Sequence, residues 1–173
     1  GYIYILPNGH MDIPIGHGIT GRAWTPLRAS RTLDDSLRAT NILQAFLGEI
    51  LSLHKPRPGQ SLLLGFSQGG VMAFQCGLVD PTVFGGIAAL SSVIPEAELL
   101  DGLLPSERAQ PIFISHGIYD KIIPISMARD TREYLEAEGY SPEYKEYPMR
   151  HEITRDVLDD LVPWVKRVIP SAH

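Results

Sequence analysis

The sequence predicts an α/β fold, in which a mostly parallel sheet has helices on both faces. Short apolar segments of strand length alternate along the chain with longer segments of helical period. This alternation is typical of parallel sheets, because two parallel strands need a helix-length connection between them. The chain has 173 residues, 44% apolar and 20% charged, so we expect a single domain over residues 1–173 with its own core.

Composition and charge exclude several classes of partner. The formal net charge is -5 and the basic residues are scattered, which argues against binding to nucleic acid or to an acidic membrane surface. No apolar run approaches the roughly 20 residues of a membrane span. No signal peptide is visible, so we expect a cytoplasmic protein. The six histidines and the one cysteine lack metal-ligand spacing, so we expect no metal and no cofactor.

The first third of the chain contains two regular segments separated by an irregular one. Residues 2–6 are apolar and predict a buried strand, which a Pro-Asn-Gly sequence ends. Residues 7–30 are rich in glycine and proline and predict a long loop, of the kind that often has a function. Residues 32–54 predict the longest helix, with Ser30 or Thr32 as its N-cap and acidic residues in its first turn.

The remaining segments continue the alternation. Residues 61–64 predict a strand, and residues 71–79 predict a helix in which Cys76 is buried. The next strand lies within residues 83–90, and a polar connection over residues 92–110 contains one short helix. The last four predicted elements are a strand at 111–117, a helix at 126–138, an edge strand at 143–148 and a helix at 153–168 that Pro163 kinks or breaks.

One turn between a predicted strand and a predicted helix is rich in glycine. Residues 65–69 read Gly-Phe-Ser-Gln-Gly. In this context the G-x-S-x-G pattern is typical of a sharp turn that raises a serine, here Ser67, above the end of the sheet. We expect Gly65 and Gly69 to be required because a Cβ at either position would collide. The helix directs its first N–H groups at Ser67, where they can stabilise an oxyanion.

A serine nucleophile needs a base, and the base needs an acid that orients it. Sites in parallel sheets form beyond the carboxyl ends of the strands, so the candidates are residues that directly follow a predicted strand. Asp120 and His151 meet this condition, and they follow Ser67 in the order acid, then histidine. The alternatives left open are a plain loop-capping aspartate at 120 and a surface-loop histidine at 151.

Other acids and histidines fit the site less well. Asp101 lies in the polar connection and Asp130 within a predicted helix. His10 and His17 precede the serine, and His173 is the terminal residue. His116 stands at a strand end before Asp120, so we expect it to support the loop of that aspartate.

Four segments point to a known family. They are Gly-Phe-Ser-Gln-Gly-Gly at 65–70, His-Gly-Ile-Tyr-Asp at 116–120 with Ile-Pro at 123–124, His-Glu-Ile at 151–153 and Gly-Arg-Ala-Trp at 21–24. With them the chain resembles the phospholipase/carboxylesterase family, which includes small bacterial carboxylesterases and acyl-protein thioesterases. The resemblance covers nearly the whole chain. It implies a reduced α/β-hydrolase fold, the catalytic triad Ser67, Asp120 and His151, hydrolysis of small esters or thioesters, and no metal.

The resemblance also implies residues around the triad. The backbone N–H of Gln68 is one expected oxyanion donor, and Phe66 and Trp24 are expected to contact substrate. Arg150 stands where the family usually has a small residue, which changes the rim of the site.

Upstream strands and a His-Gly loop of the family have no counterpart before Tyr2, so we expect the strand beside the serine strand to be absent. Three explanations follow. In the first, residues 2–6 pair beside the serine strand, and the loop from Pro7 to His10, which contains Asn8 and Gly9, gives the second oxyanion donor. In the second, a second copy of the chain covers the gap. In the third, the chain is a fragment with impaired activity. We favour the first two together, and therefore a homodimer.

The expected function is that of a serine carboxylesterase that forms an acyl-enzyme with a small-molecule ester. Short acyl chains are favoured, because a chain of this size has little room for a lid or a deep acyl tunnel. A thioesterase or a lysophospholipase is the alternative among enzymes. The alternative from another class is a catalytically weak hydrolase-fold protein used for binding or assembly.

Overall fold

The computed structural model describes residues 1–16, 18–26 and 30–170, and the chain divides into two compact units after Lys55. The first unit contains a hairpin and a long helix, and the second contains a parallel sheet with its helices. The expected single domain over residues 1–173 stays a prediction.

The first unit begins its regular structure with two antiparallel strands, β1 (Met11–Pro14) and β2 (Thr20–Ala23). Helix α1 (Leu33–His54) follows. The Thr32 side chain accepts from the backbone N–H of Asp35, and the Asp35 side chain accepts from the backbone N–H of Thr32. This reciprocal capping satisfies two N–H groups that the helix leaves without partners, and it confirms Thr32 as the N-cap.

Two predictions for the first unit are wrong. Residues 2–6 form no strand, and Ile3 and Leu6 are 73% and 85% exposed. A strand needs a partner for its backbone N–H and C=O groups, and apolar composition does not provide one. The loop predicted for residues 7–30 contains the hairpin of β1 and β2, whose four-residue strands are too short to show a clear period.

The second unit is built on a sheet in which all neighbouring strands are parallel. Within the described residues the order in space is the order in the chain, β3-β4-β5-β6. The strands are β3 (Ser61–Phe66), β4 (Phe84–Leu90), β5 (Ile112–Gly117) and β6 (Glu143–Tyr147). The parallel sheet and the edge position of β6 are therefore confirmed.

Helices follow three of these strands. They are α2 (Gln68–Gly77) after β3, α3 (Ile125–Ala137) after β5 and α4 (Arg155–Val168) after β6, while the connection after β4 contains a short 3-10 helix (Ala97–Leu99). Helix α4 runs through Pro163 without the break that the sequence allows. Burial of Leu161 and Trp164 on both sides of the proline stabilises the continuous helix.

The core of the second unit lies on both faces of the sheet, because alternate residues of a strand point to opposite sides. On one face Ile87 of β4 belongs to a buried cluster with Phe74 of α2 and Leu135 of α3. On the other face Leu90 of β4 belongs to a cluster with Trp164 of α4. Helices thus cover both faces, as the sequence predicts.

Strand β3 lies at the other edge of the sheet. Among the strands of the described residues it pairs only with β4, and Leu64 in its middle is 49% exposed. The described residues therefore form no further strand beside β3, and the hypothesis that residues 2–6 pair there is wrong. Since the strands are parallel, the loops that follow β3, β5 and β6 leave the sheet at one end.

Candidate active site

Ser67 lies in the sharp turn from β3 to α2, with φ 53° and ψ -120°. A positive φ at a residue other than glycine costs of order 1–3 kcal/mol, so the surrounding structure has to maintain it. The Ser67 N–H donates to the carbonyl of Leu90 at 2.9 Å. The Ser67 carbonyl accepts from the Ser92 hydroxyl at 2.8 Å and from the Gly70 N–H at 3.0 Å. These contacts with β4 and α2 hold the turn.

Two glycines allow strand and helix to approach each other at this turn. A Cβ at Gly65 would lie 2.0 Å from the carbonyl carbon of Gly69, and a Cβ at Gly70 would lie 2.4 Å from the Cβ of Ser92. A Cβ at Gly69 would meet no atom of the described residues within 4 Å, apart from its chain neighbours and the backbone of its own helix. The expectation that Gly69 avoids a collision is therefore wrong. Successive helical residues point about 100° apart, so the crowded side falls at Gly70.

His151 and Asp120 complete a hydrogen-bonded series with the serine. Nε2 of His151 lies 3.0 Å from the Ser67 Oγ, and Nδ1 lies 2.7 Å from Oδ2 of Asp120. An ionised carboxylate only accepts, so Nδ1 has the hydrogen and Nε2 is left to accept from the serine hydroxyl. The structure thus brings together the three side chains that the sequence singled out, each from the loop after a different strand.

Asp120 is buried, and its own loop supplies donors to it. Oδ1 accepts from the N–H of Ile122 at 2.8 Å and from the N–H of Ile123 at 2.9 Å. Burial by itself raises the pKa of Asp120, but the hydrogen bonds from Ile123, His151 and Ile122 together lower it below the ordinary carboxyl value. Asp120 therefore caps its loop and also bonds His151, so the two readings of this aspartate do not exclude each other.

The loops after β5 and β6 are joined through their backbones. The N–H of Ile118 donates to the carbonyl of Tyr147 at 2.9 Å, and the N–H of Tyr119 donates to the carbonyl of Met149 at 3.0 Å. A Cβ at Gly117 would lie 2.3 Å from that Met149 oxygen, so the close approach needs glycine. These backbone hydrogen bonds between the two loops thus set the distance between Asp120 and His151.

The other predicted residues of the second unit lie around this series. The ring of Phe66 contacts the imidazole of His151, with 4.8 Å between the ring centroids. Gln68 is the first residue of α2, directly after the serine. Arg150 is exposed and precedes His151. The roles of Phe66 in substrate contact and of the Gln68 N–H in oxyanion binding stay predictions.

The residues predicted near the N-terminus belong to the first unit. Gly9 packs so closely on β2 that a Cβ would lie 2.2 Å from the carbonyl carbon of Ala23. Its carbonyl accepts from Nε of Arg22 at 2.9 Å. The roles of Asn8 and Gly9 as the second oxyanion donor, and of Trp24 in substrate contact, stay predictions.

Some sequence expectations concern histidines and acids outside the series. His17 and His173 lie outside the described residues, while Asp130 lies on α3, as expected. The described residues include no group of three or more His, Cys, Asp or Glu that could hold a metal ion. Within the same residues, no helix has the length and hydrophobicity to cross a membrane.

Sequence reasoning missed Ser91 and Ser92: it assigned Ser91 to no element and left Ser92 in the polar connection. Besides the bond from Ser92 to the Ser67 carbonyl, the Ser91 N–H donates to the carbonyl of Ser115 at 2.8 Å. Ser91 also has a positive φ, 45°. The only available signal was that two small polar residues directly follow a strand that neighbours the serine strand.

Fold and site together define a class of protein. A parallel sheet with a serine on a strand–helix turn, and with an acid and a histidine after later strands, is the α/β-hydrolase fold. The profile of the phospholipase/carboxylesterase family matches residues 3–169, and the chain belongs to that family.

Individual relatives agree with this assignment. A protein of Oryza sativa subsp. japonica named probable carboxylesterase is 29% identical over 170 residues, which are 93% of this chain and 64% of the relative. An acyl-protein thioesterase 1 of Gibberella zeae is 32% identical over 120 residues, which are 67% of this chain and 51% of the relative. The chain therefore spans between half and two thirds of these two curated relatives.

Solved structures show the same fold. SOBER1 of Arabidopsis thaliana has a TM-score of 0.75 at 25% identity, over 88% of this chain and 76% of that one. An esterase named PE8 has a TM-score of 0.76 at 27% identity, over 86% of this chain and 71% of that one.

Proposed function

We propose that this chain is a serine carboxylesterase that hydrolyses short-chain esters through an acyl-enzyme intermediate. The observation on which the proposal rests is the series from the Ser67 Oγ through His151 to Asp120, with 3.0 Å and 2.7 Å between the bonded atoms. Membership of the family and relatives named carboxylesterases support it.

In the first half of the proposed reaction, the Ser67 Oγ attacks the ester carbonyl carbon as Nε2 of His151 accepts the hydroxyl proton. The carbonyl oxygen becomes an oxyanion, for which the N–H of Gln68 at the start of α2 is the proposed donor. His151 then gives its proton to the leaving alkoxide, and the alcohol departs. Asp120 stabilises the imidazolium that forms in between.

In the second half, water replaces the alcohol beside the acyl-enzyme. His151 accepts a proton from the water as its oxygen attacks the acyl carbon. Collapse of the second tetrahedral intermediate breaks the bond to the Ser67 Oγ, which regains the proton from His151, and the carboxylic acid is released.

A thioesterase activity is the second candidate among enzymes, because several relatives are named acyl-protein thioesterase 1. A thioester gives the same acyl-enzyme with a thiol as the leaving group. Rates on oxygen esters and thioesters that share one acyl group distinguish the two activities, and a series of acyl lengths tests the preference for short chains. A weakly active protein for binding or assembly is the candidate from another class.

The decisive experiment compares wild type, Ser67→Ala and Ser141→Ala on short-chain p-nitrophenyl esters. We expect Ser67→Ala to lower kcat by about 10⁴-fold or more, because the acyl-enzyme cannot form. Ser141 is an exposed serine of the second unit, so its replacement controls for loss of a hydroxyl elsewhere. A fluorophosphonate should label wild type at Ser67 only. Equal background turnover by wild type and Ser67→Ala contradicts the enzymatic function.

We also propose that the protein forms a homodimer in which a second copy covers the outer edge of β3. The support is that β3 pairs only with β4 among the described strands and exposes Leu64 there. The cytoplasmic location expected from the sequence stays a prediction.

A further inference from the structure

The carboxylate of Asp120 is approached by a second imidazole, which the reaction above does not use. His116 lies on β5 and is fully buried. Its Nε2 lies 2.8 Å from the carbonyl oxygen of Ile123 and 3.4 Å from Oδ2 of Asp120. Oδ2 is also the oxygen that contacts Nδ1 of His151, so one carboxylate oxygen stands between two imidazoles.

The surroundings of His116 fix its tautomer. A carbonyl oxygen only accepts, so Nε2 has a hydrogen and donates it to Ile123. Nδ1 is buried and has no partner among the described residues, so a hydrogen there would have no acceptor. The tautomer that fits both observations is the one with a hydrogen on Nε2 and none on Nδ1. The Nε2–H therefore donates to the carbonyl of Ile123, while Oδ2 of Asp120 lies 3.4 Å from the same nitrogen without a hydrogen bond to it.

His116 and Asp120 hold the same residue from two sides. The N–H of Ile123 donates to Oδ1 of Asp120 at 2.9 Å, while the carbonyl of Ile123 accepts from His116 at 2.8 Å. With Oδ1 held by the loop N–H groups, Oδ2 is left for His151. The direction of that oxygen thus depends on a loop conformation that His116 stabilises.

We propose that His116 is a positioning residue, whose Nε2–H holds the Asp120 loop so that Oδ2 faces Nδ1 of His151. The proposal rests on the proposed function, since orientation of the base matters only if Ser67 is a nucleophile. His116 contacts Asp120 and its loop but not Ser67, from which Asp120 and His151 separate it. Its loss therefore affects orientation in the transition state and leaves substrate binding nearly unchanged.

Two substitutions separate the hydrogen bond from the bulk of the ring. His116→Gln keeps an N–H donor at about the reach of Nε2, and His116→Met fills similar space without a donor. Ser115→Ala is the matched control, because Ser115 is a buried neighbour on β5 whose hydroxyl has no partner among the described residues.

We expect His116→Met to lower kcat by about 10- to 100-fold with KM within about twofold, because a small misplacement of a catalytic group has effects of this size. His116→Gln should recover kcat to within about threefold of wild type, and Ser115→Ala should retain wild-type kcat. An equal loss in the Gln and Met variants, or an unchanged kcat in a folded Met variant, overturns the proposal.

Nitrogen NMR of wild type with labelled histidine gives a test that needs no substitution. We expect the resonances of His116 to show a hydrogen on Nε2 and none on Nδ1, and a hydrogen on Nδ1 of His116 alone overturns the proposal. This measurement on wild type tests the proposal even if the His116→Met variant fails to fold. If wild type lacks turnover that depends on Ser67, the proposed function fails, while the NMR result still shows whether His116 donates to the Asp120 loop.

Discussion

Ser67 has an unusual backbone conformation that its neighbours maintain from three directions. Its φ of 53° is held by Leu90 and Ser92 of the β4 segment and by Gly70 of α2. The glycines of the motif differ in what they do, although they look equivalent in the sequence. A Cβ at Gly65 would lie 2.0 Å from the backbone of Gly69 in α2, whereas a Cβ at Gly69 would point into open space.

Replacement of Gly65 and of Gly69 by alanine should have different effects on stability. We expect Gly65→Ala to lower the free energy of unfolding by more than about 2 kcal/mol, because its Cβ would overlap backbone atoms. Gly69→Ala should leave stability unchanged or raise it by up to about 1 kcal/mol, because alanine favours a helix and Gly69 lies in α2. Urea unfolding measures both. Similar losses in the two variants contradict this account of the turn.

Residues of the site differ in how far the sequence predicts them. Ser67, Asp120 and His151 follow from a local motif, from strand ends and from their order along the chain. Ser92 and the open side of Gly69 depend on how segments distant in sequence pack, and no local pattern contains that information. Sequence therefore predicts the three side chains of the hydrogen-bonded series better than the residues that hold them in place.

At the scale of an element, the loop from Ile118 to Pro124 is organised around one charge. The Asp120 carboxylate accepts from two N–H groups of the loop and from His151. Its pKa is lowered in the folded protein from the ordinary 3.8. The stabilisation by this charge is therefore complete above the ordinary value and is lost as the pH falls through the lowered folded value.

The pH dependence of stability tests this description of the loop. We expect the urea midpoint of wild type to exceed that of Asp120→Asn near neutral pH, and the excess to shrink as the pH falls below about 4. Urea unfolding from pH 7 down to the acid limit of the folded state measures the difference. Asp130→Asn is a control on an exposed face of α3. A wild-type excess that is independent of pH contradicts the role of the charge.

The sequence predicts an element well when residues near its ends determine where it starts and stops. It predicts an element poorly when the element depends on pairing with a distant segment. Helix α1 is predicted to within one residue because Thr32 and Asp35 cap it. Residues 2–6 fail as a strand because pairing requires a partner that composition does not reveal. The hairpin of β1 and β2 is missed for the opposite reason, since its strands pair in spite of a weak pattern.

At the scale of the whole molecule, the parallel sheet and its two-sided core were predictable from the alternation of segments. The order β3-β4-β5-β6 was not, because strands of similar composition can pair in several orders. One consequence of this order is that β3, which directly precedes Ser67, ends the sheet on one side within the described residues.

The proposed homodimer gives a prediction at this scale. Size-exclusion chromatography with light scattering should show a dimer of wild type, because the outer edge of β3 has no partner strand among the described residues and Leu64 is exposed there. We expect Leu64→Lys to shift the protein towards monomer, because a charged side chain on an edge strand opposes pairing. Leu103→Lys replaces an exposed leucine that does not belong to β3 and is the control. A wild type that stays monomeric at all concentrations contradicts the proposal.

The order of the strands also has a consequence for synthesis on the ribosome. Since each strand of the second unit pairs with the one before it in the chain, the sheet can grow by one strand at a time as the polypeptide emerges. Ser67 leaves the ribosome with the first of these strands, and His151 only after the last one. A nascent chain thus exposes Ser67 before it contains His151, the proposed general base, so the proposed nucleophilic reactivity can appear only after β6 and the loop that follows it have emerged.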